Sequence, residues 1–563
     1  MKELILGDIP ENYDPKKHYL LGAWTLFKKQ ELLEKLDKAF PDLFPTRDQF
    51  DLIEAHTGYL ADKYLPQLAS YLNKKNNSNY TEEFWRIITR DKLVCFISSV
   101  LEKYYKLSNF QTDESFKVVL SEVGVNHIFE EAYEFDERIQ VCELYNSYLF
   151  SLALKMLNPS YIKEYDTKAI SIPKKTQIVS GTIAPLRARV INKICEYTRI
   201  QSIFGFNIIQ IFLLNFFCLK NKNSSTFQKY IPFNTSLPLE ENILSADWFS
   251  LLVKNLSVDF HNIKKFKKKM RIYKNGIFIC SSFKTPTSSA FRIATMKMKG
   301  VKIFSSQHGS AYGDFHSFTR NNLSELNLDG FFTWGWSNYG HSPERLHALP
   351  SPQLSKVRKK YKKQDKALKK KILLVSTCFQ RFCWSACSGY DSQHFHDYLN
   401  RIERIFTNLP SSVKKSFYFR PRFSQREVSY FIIEPLEKKY SDIKVLNNNL
   451  DYEFVNSKLI IFDSPGSALY KSLAANIPTI ITWNPRAWLM SDRFSEHLEK
   501  FKEVGIFFES PEYALKKVEQ VQDDTDRWWN SSEVQKVVQD FCNEFARVSD
   551  SPFSDWYKYL KKL

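Results

Sequence analysis

The sequence predicts an α/β protein of two Rossmann-like domains facing a cleft, with a large, mostly helical N-terminal elaboration and a C-terminal helix. Three observations lead there. Short apolar runs alternate with helical periodicity in two separate stretches, one ending near residue 337 and one starting near 372. A proline-bearing, lysine-rich segment, LPSPQLSKVRKKYKKQDKALKKK (349–371), stands between them. The chain also has 563 residues, more than one hydrophobic core normally serves.

The elements follow in order. YLLGAW (19–24) reads as a first buried strand closed by Gly22 and Trp24. From about 28 to 157 the pattern is helical, with apolar residues three and four apart in 31–40 and 84–107. Residues 158–240 mix short apolar runs with Pro, Asn and Ser and set no clear pattern. A helix at 246–255 leads through a basic loop to a strand within 272–280. A helix over 288–299, capped by Ser288 or Ser289 and ended by Gly300, feeds a strand at 301–305. Such short joints make a βαβ unit and a parallel sheet. A second short strand ends on Trp334, Gly335 and Trp336.

After the linker the pattern restarts: strands at 372–376, 416–420, 443–446, 458–462 and 479–482, with helices at 394–408 and from Ser467. This alternation reads as a second doubly wound domain. The last helix begins at Asn530, which with Glu533 has capping-box spacing; Val534, Val537, Val538, Phe541 and Phe545 form its apolar stripe. The expected division is therefore 1–350, a basic linker 351–371, 372–525, and a helix within 526–563 that packs back on the core.

Composition narrows the class. With 43% hydrophobic and 25% charged residues and only 16 glycines, the chain is globular and neither repetitive nor mostly disordered. Nine cysteines without a pattern read as reduced thiols of a cytoplasmic protein. Cys383 and Cys387 have no second pair of matching spacing beyond His394 and His396, so no metal is expected. The first ten residues lack an apolar signal core. The most apolar stretch, 203–219, contains Asn207, Gln210 and Asn215 and reads as a buried or interfacial helix.

The net charge of +18 gathers in runs at 264–274 and 356–371. Such runs suit a solvated face, an anionic substrate or a peripheral contact with an anionic membrane surface. They carry few aromatics and no base-reading motif, so no nucleic acid partner is expected.

The chemistry-bearing residues sit at strand ends. The strand at 301–305 runs into QHG, which places the imidazole of His308 where ligands gather in open α/β sheets; Gln307 and Gly309 complete this candidate catalytic turn. FDSPGS (462–467) follows a strand and opens a helix, so Ser464, Gly466 and Ser467 offer hydroxyl and N–H groups to a phosphate. Arg420 and Arg422, in YFRPRF, are fork-shaped donors for the same anion. The acidic group Asp523, Asp524 and Asp526 lies away from strand ends and reads as a solvated turn. Two such domains without GxGxxG or a Walker loop fit a GT-B-like layout, with the nucleotide donor on the second domain and the acceptor on the first.

LLGAW (20–24), QHGSAYG (307–313), FFTWGWS (331–337), LPSP (349–352), KILLVST (371–377), FRPR (419–422), LAANIPTI (473–480) and RWWNSSEVQ (527–535) together resemble a transferase family of leptospiral-type O-antigen and other surface-carbohydrate loci. The resemblance spans nearly the whole chain and is strongest after residue 300. It implies a metal-independent, cofactor-free GT-B-like glycosyltransferase of lipopolysaccharide or capsule assembly. Its partners would be a nucleotide-sugar donor and a glycan or polyprenyl-linked acceptor.

A wider likeness to bacterial transferases with cytidine-nucleotide donors points to a CMP-activated ulosonic acid. CDP-polyol phosphate transfer and a non-catalytic scaffolding role remain as alternatives. In one departure, Lys471 stands where the family carries a glutamate able to hold the donor ribose. A cation cannot accept those hydroxyl hydrogen bonds, so either the donor differs, Lys471 meets phosphate, or activity is weakened.

Overall fold

The computed structural model describes residues 1–32, 40–123, 132–170, 205–220, 232–255, 272–274, 276–280, 287–340, 342–365, 369–389, 391–422 and 433–563. Three parallel sheets organise them.

The first sheet has the order β2-β1-β3-β4. Strands β1 (Lys2–Ile5) and β2 (His18–Leu20) are followed by a 3-10 turn at Ala23–Leu26. The strand expected to reach Trp24 thus stops early, because the buried indole turns back and donates from Nε1 to the Leu6 carbonyl at 2.9 Å. Two long helices come next, α1 (Arg47–Lys75) and α2 (Glu82–Ser108). Thr46 and Gln49 close a capping box on the first, and Thr81 caps the second. Strands β3 (Phe116–Val123) and β4 (Ile162–Ile170) complete the sheet.

Helix α3 (Ile208–Lys220) precedes the second sheet. That sheet runs β5 (Ile277–Cys280), β6 (Lys302–Ser306), β7 (Gly330–Thr333) and β8 (Leu346–Ala348), paired in sequence order. Helix α4 (Thr287–Lys297) crosses from β5 to β6 as the βαβ reading requires. Its described span opens at Thr287, one residue before the pair expected to cap it. Gly300 follows with φ +80°, a conformation few side chains accept.

The expected linker is largely helical: α5 (Pro352–Lys363) starts on Ser351, whose hydroxyl accepts from the Leu354 N–H, with proline at its first turn. The third sheet then has the order β11-β10-β9-β12-β13-β14. Its elements are β9 (Lys371–Val375), α6 (Phe395–Thr407), β10 (Phe417–Arg420), β11 (Lys444–Val445), α7 (Leu450–Val455), β12 (Ser457–Phe462), α8 (Ser467–Ala474), β13 (Thr479–Thr482) and β14 (Phe507–Phe508). It is the doubly wound domain expected from the alternation.

Helices α9 (Ser532–Phe545) and α10 (Pro552–Lys562) end the chain. Val534, Val538, Phe541 and Phe545 are buried, whereas Val537 is half-buried. Asn530 does not cap α9. It ends the preceding turn, donating from Nδ2 to the Asp526 carbonyl at 2.8 Å, and Ser531 takes the cap position. The basic run at 264–271 lies outside the described residues.

Candidate functional site

All strands of the second and third sheets are parallel, so loops from both converge at the carboxyl ends. From the third sheet come Ser376 and Thr377 after β9, Arg420 at the end of β10, and Asp463 and Ser464 after β12. From the second sheet comes the Gln307–Ser310 turn after β6. Between them lies a cleft of about 380 Å³. Arg420, Arg422, Ser464, Gly466, Ser467 and Lys471, the whole expected donor set, line it, and Ser310 faces them from the opposite side.

The cleft walls are joined. The Ser310 N–H donates to Ser467 Oγ at 2.9 Å, and a Cβ on Gly309 would stand 2.8 Å from that same oxygen. Tyr470 of α8 donates to the buried carboxylate of Asp314 at 2.5 Å. Burial raises the Asp314 pKa. Backbone bridges Phe315–Met490 and Phe318–Cys387 extend the seam.

Gln307 is a clamp. Its Oε1 accepts from the Trp334 N–H at 2.8 Å and the Trp336 indole at 2.9 Å, and its Nε2 donates to the Gly309 carbonyl at 2.9 Å. This ties the QHG and TWGW motifs into one unit. Gln307, His308 and Gly309 do not line the cleft themselves; they carry Ser310, which does.

His308 is half-buried, and its Nδ1 lies 3.2 Å from the Tyr312 hydroxyl. That hydroxyl donates its only proton to Glu325 Oε2 at 3.0 Å. Toward the imidazole it can therefore only accept, so Nδ1 is the donor in this contact. Burial first, then the Glu325 carboxylate, holds the Tyr312 phenol protonated.

Behind the lining residues Ser376 and Ser464, buried Asp463 accepts from Ser376 Oγ, from the Tyr398 hydroxyl at 2.8 Å and from Ser464 Oγ at 3.0 Å. Burial outweighs these donors and lifts its pKa to about 6. Arg420 is oriented by donating from Nε to the Asn448 carbonyl at 3.1 Å and from Nη1 to the Pro421 carbonyl. Arg422 is exposed. Lys471 pairs with Asp451 at 2.8 Å on the cleft rim.

Sequence reasoning missed Glu325, Tyr312, Tyr398, Asp314 and Ser376. Tyr312 stands inside QHGSAYG, Ser376 inside KILLVST and Asp463 inside FDSPGS, whereas no motif marks Glu325, Tyr398 or Asp314. Among the described residues, no three His, Cys, Asp or Glu side chains are grouped to hold a metal ion.

The model of one family, described as LIC12162 family transferase, matches residues 2–560. The chain belongs to that family. The resemblance carried by QHGSAYG, FFTWGWS and RWWNSSEVQ is confirmed with it, and this LIC12162 family member is a transferase.

No curated relative matches its sequence. Among solved structures, the wall teichoic acid polymerase TagF is similar at 11% identity and a TM-score of 0.31, over 53% of this chain and 84% of that one. WaaG, a glycosyltransferase involved in lipopolysaccharide biosynthesis, is similar at 12% identity and a TM-score of 0.23, over 55% of this chain and 82% of that one.

Proposed function

We propose that this transferase is a glycosyltransferase of bacterial surface polysaccharide assembly, moving a sugar from a nucleotide donor to a hydroxyl of a lipid-linked or growing glycan. One observation carries the reading: Arg420, Arg422, Ser464, Gly466 and Ser467, expected from two separate segments to bind an anion, share one cleft with Lys471 and with the His308 turn across it. On this reading 372–525 holds the donor and 1–350 presents the acceptor. The reaction belongs in the cytoplasm, with the acceptor offered at the inner membrane face.

His308 Nε2 takes the acceptor hydroxyl proton as the new C–O bond forms at the anomeric carbon. The bond from that carbon to the donor phosphate breaks, and its electron pair leaves with the nucleotide. Arg420, Arg422, Lys471 and the N–H groups at the start of α8 receive that charge. These cations do the work a metal would otherwise do, so transfer should survive a chelator. Gln307 and Gly309 act as positioning residues, and Glu325, through Tyr312, stabilises the imidazolium.

The donor we propose is a CMP-activated ulosonic acid. A thermal-shift screen of CMP, CDP, UDP, GDP, dTDP and ADP, with and without Arg420→Ala, tests the site. At about 100 times its dissociation constant the right nucleotide adds about 2.7 kcal/mol of stability, and the variant loses that gain. A rise for a non-cytidine base would overturn the donor. A flat panel would overturn the enzymatic reading in favour of scaffolding.

A further inference from the structure

We propose that the surface where α3, α5 and α10 meet docks the protein on an anionic lipid bilayer. Helix α3 buries Ile211 and Leu214 in a core cluster that includes Phe304 and Phe332 of the second sheet and Trp556 of α10. Its other side is also apolar: Ile209 is 69% exposed, and Phe212 and Leu213 are 50% exposed each. These three, spaced for one helix face, stand among the few large hydrophobic side chains that the described residues leave in solvent. A globular surface helix normally turns polar side chains outward, so among the described residues this face lacks a partner. The helix has 13 residues, too few to cross a bilayer but enough to lie along its interface.

Charge identifies the partner. Gln210, beside Ile209 on α3, lines a groove of about 610 Å³ with Lys356, Lys359, Lys362 and Lys363 of α5. All four lysines are exposed, and none is in an ion pair among the described residues. Lys558, Lys561 and Lys562 of α10, which packs on both α3 and α5, are exposed as well. Asp550 is the one acid among the described residues that line the groove. An apolar helix face rimmed by cations needs a hydrocarbon boundary and anions at the same depth. A bilayer with anionic headgroups supplies both, whereas a nucleic acid would satisfy the lysines and leave the apolar face wet.

The inference stands apart from the transfer reaction and is tested without substrate. The full chain is floated with phosphatidylcholine vesicles containing about 30% phosphatidylglycerol, or none, at about 0.1 M and about 0.5 M salt. The wild type should float with the anionic vesicles only, and less at high salt. The combined I209S/F212S/L213S and K356Q/K359Q/K362Q/K363Q variants should each lose roughly tenfold or more in partitioning, with unchanged circular dichroism and Tm. Wild-type protein that stays in solution, or binds neutral vesicles equally, overturns the proposal. So does either variant partitioning like wild type. A wild-type dimer that I209S/F212S/L213S renders monomeric would assign the face to a second copy and also overturn it.

Discussion

The Ser310 N–H donates to Ser467 Oγ at 2.9 Å, so the turn after β6 touches the first residue of α8 across the cleft. Gly309 sits so close that a Cβ there would lie 2.8 Å from the same oxygen. The contact sets the width of the cleft, and with it the distance between an acceptor near His308 and a donor near Ser467. Gly309→Ala should therefore cost about 1–3 kcal/mol by overpacking. Ser467→Ala, which deletes the oxygen, should make a second loss smaller than the sum. Chemical denaturation of both single variants and the double variant reads this directly. Coupling below about 0.5 kcal/mol would show that the two sides move independently.

The Tyr312 hydroxyl joins His308 to Glu325. Removing it by Tyr312→Phe leaves the imidazole in place without the carboxylate behind it. An unsupported imidazolium is less stable, so the acid limb of the kcat/KM profile should move to lower pH. The rate should fall about tenfold or more, against about 10²–10⁴ for His308→Ala. A merely structural tyrosine would lower Tm and leave the limb where it was.

The contrast between these residues and the donor set shows what a sequence makes legible. Arg420, Ser464 and Ser467 stand next to short apolar strands bounded by Pro or Gly, so strand ends and site residues come together in one motif. Tyr312 and Glu325 are 13 residues apart, and Asp314 and Tyr470 are 156 apart. Nothing local marks such pairs, because only the tertiary fold brings them together. Strand β4 escaped for a different reason. Its residues between Ile162 and Ile170 are all exposed, so IKEYDTKAI carries neither an apolar run nor an alternation. Two prolines and a run of lysines make 351–371 resemble a linker. It folds as a helix because Leu354 and Val357 bury one side while those lysines stay outside.

Asp463 makes stability depend on pH. Its pKa is raised from the ordinary 3.8 to about 6 by burial, so between those values the folded protein holds a proton that the unfolded chain has lost. Stability attributable to this group is present below about pH 4, falls as pH rises to about 6, and is level above. The fall amounts to up to about 3 kcal/mol. Asp463→Asn should flatten this part of the profile, which urea denaturation across the range will measure. An unchanged slope would place the titration elsewhere.

Gly466 separates the needs of the fold from those of the site. It precedes α8 with φ 169°, extended backbone that any residue adopts, and a Cβ built there meets no protein atom within 4 Å. Packing therefore does not require a glycine at this position. The space in front of it belongs to the cleft, beside Ser464 and Ser467 and at the positive end of the helix. A phosphate held by those groups would occupy the volume that a side chain takes away. Gly466→Val should thus fold with wild-type stability, yet lose the thermal shift given by the donor nucleotide. Its KM for donor should rise about tenfold or more, the effect of about 1.4 kcal/mol of lost binding. Normal donor binding by Gly466→Val would show that the phosphate lies elsewhere in the cleft, and Arg422 would then become the residue around which to look.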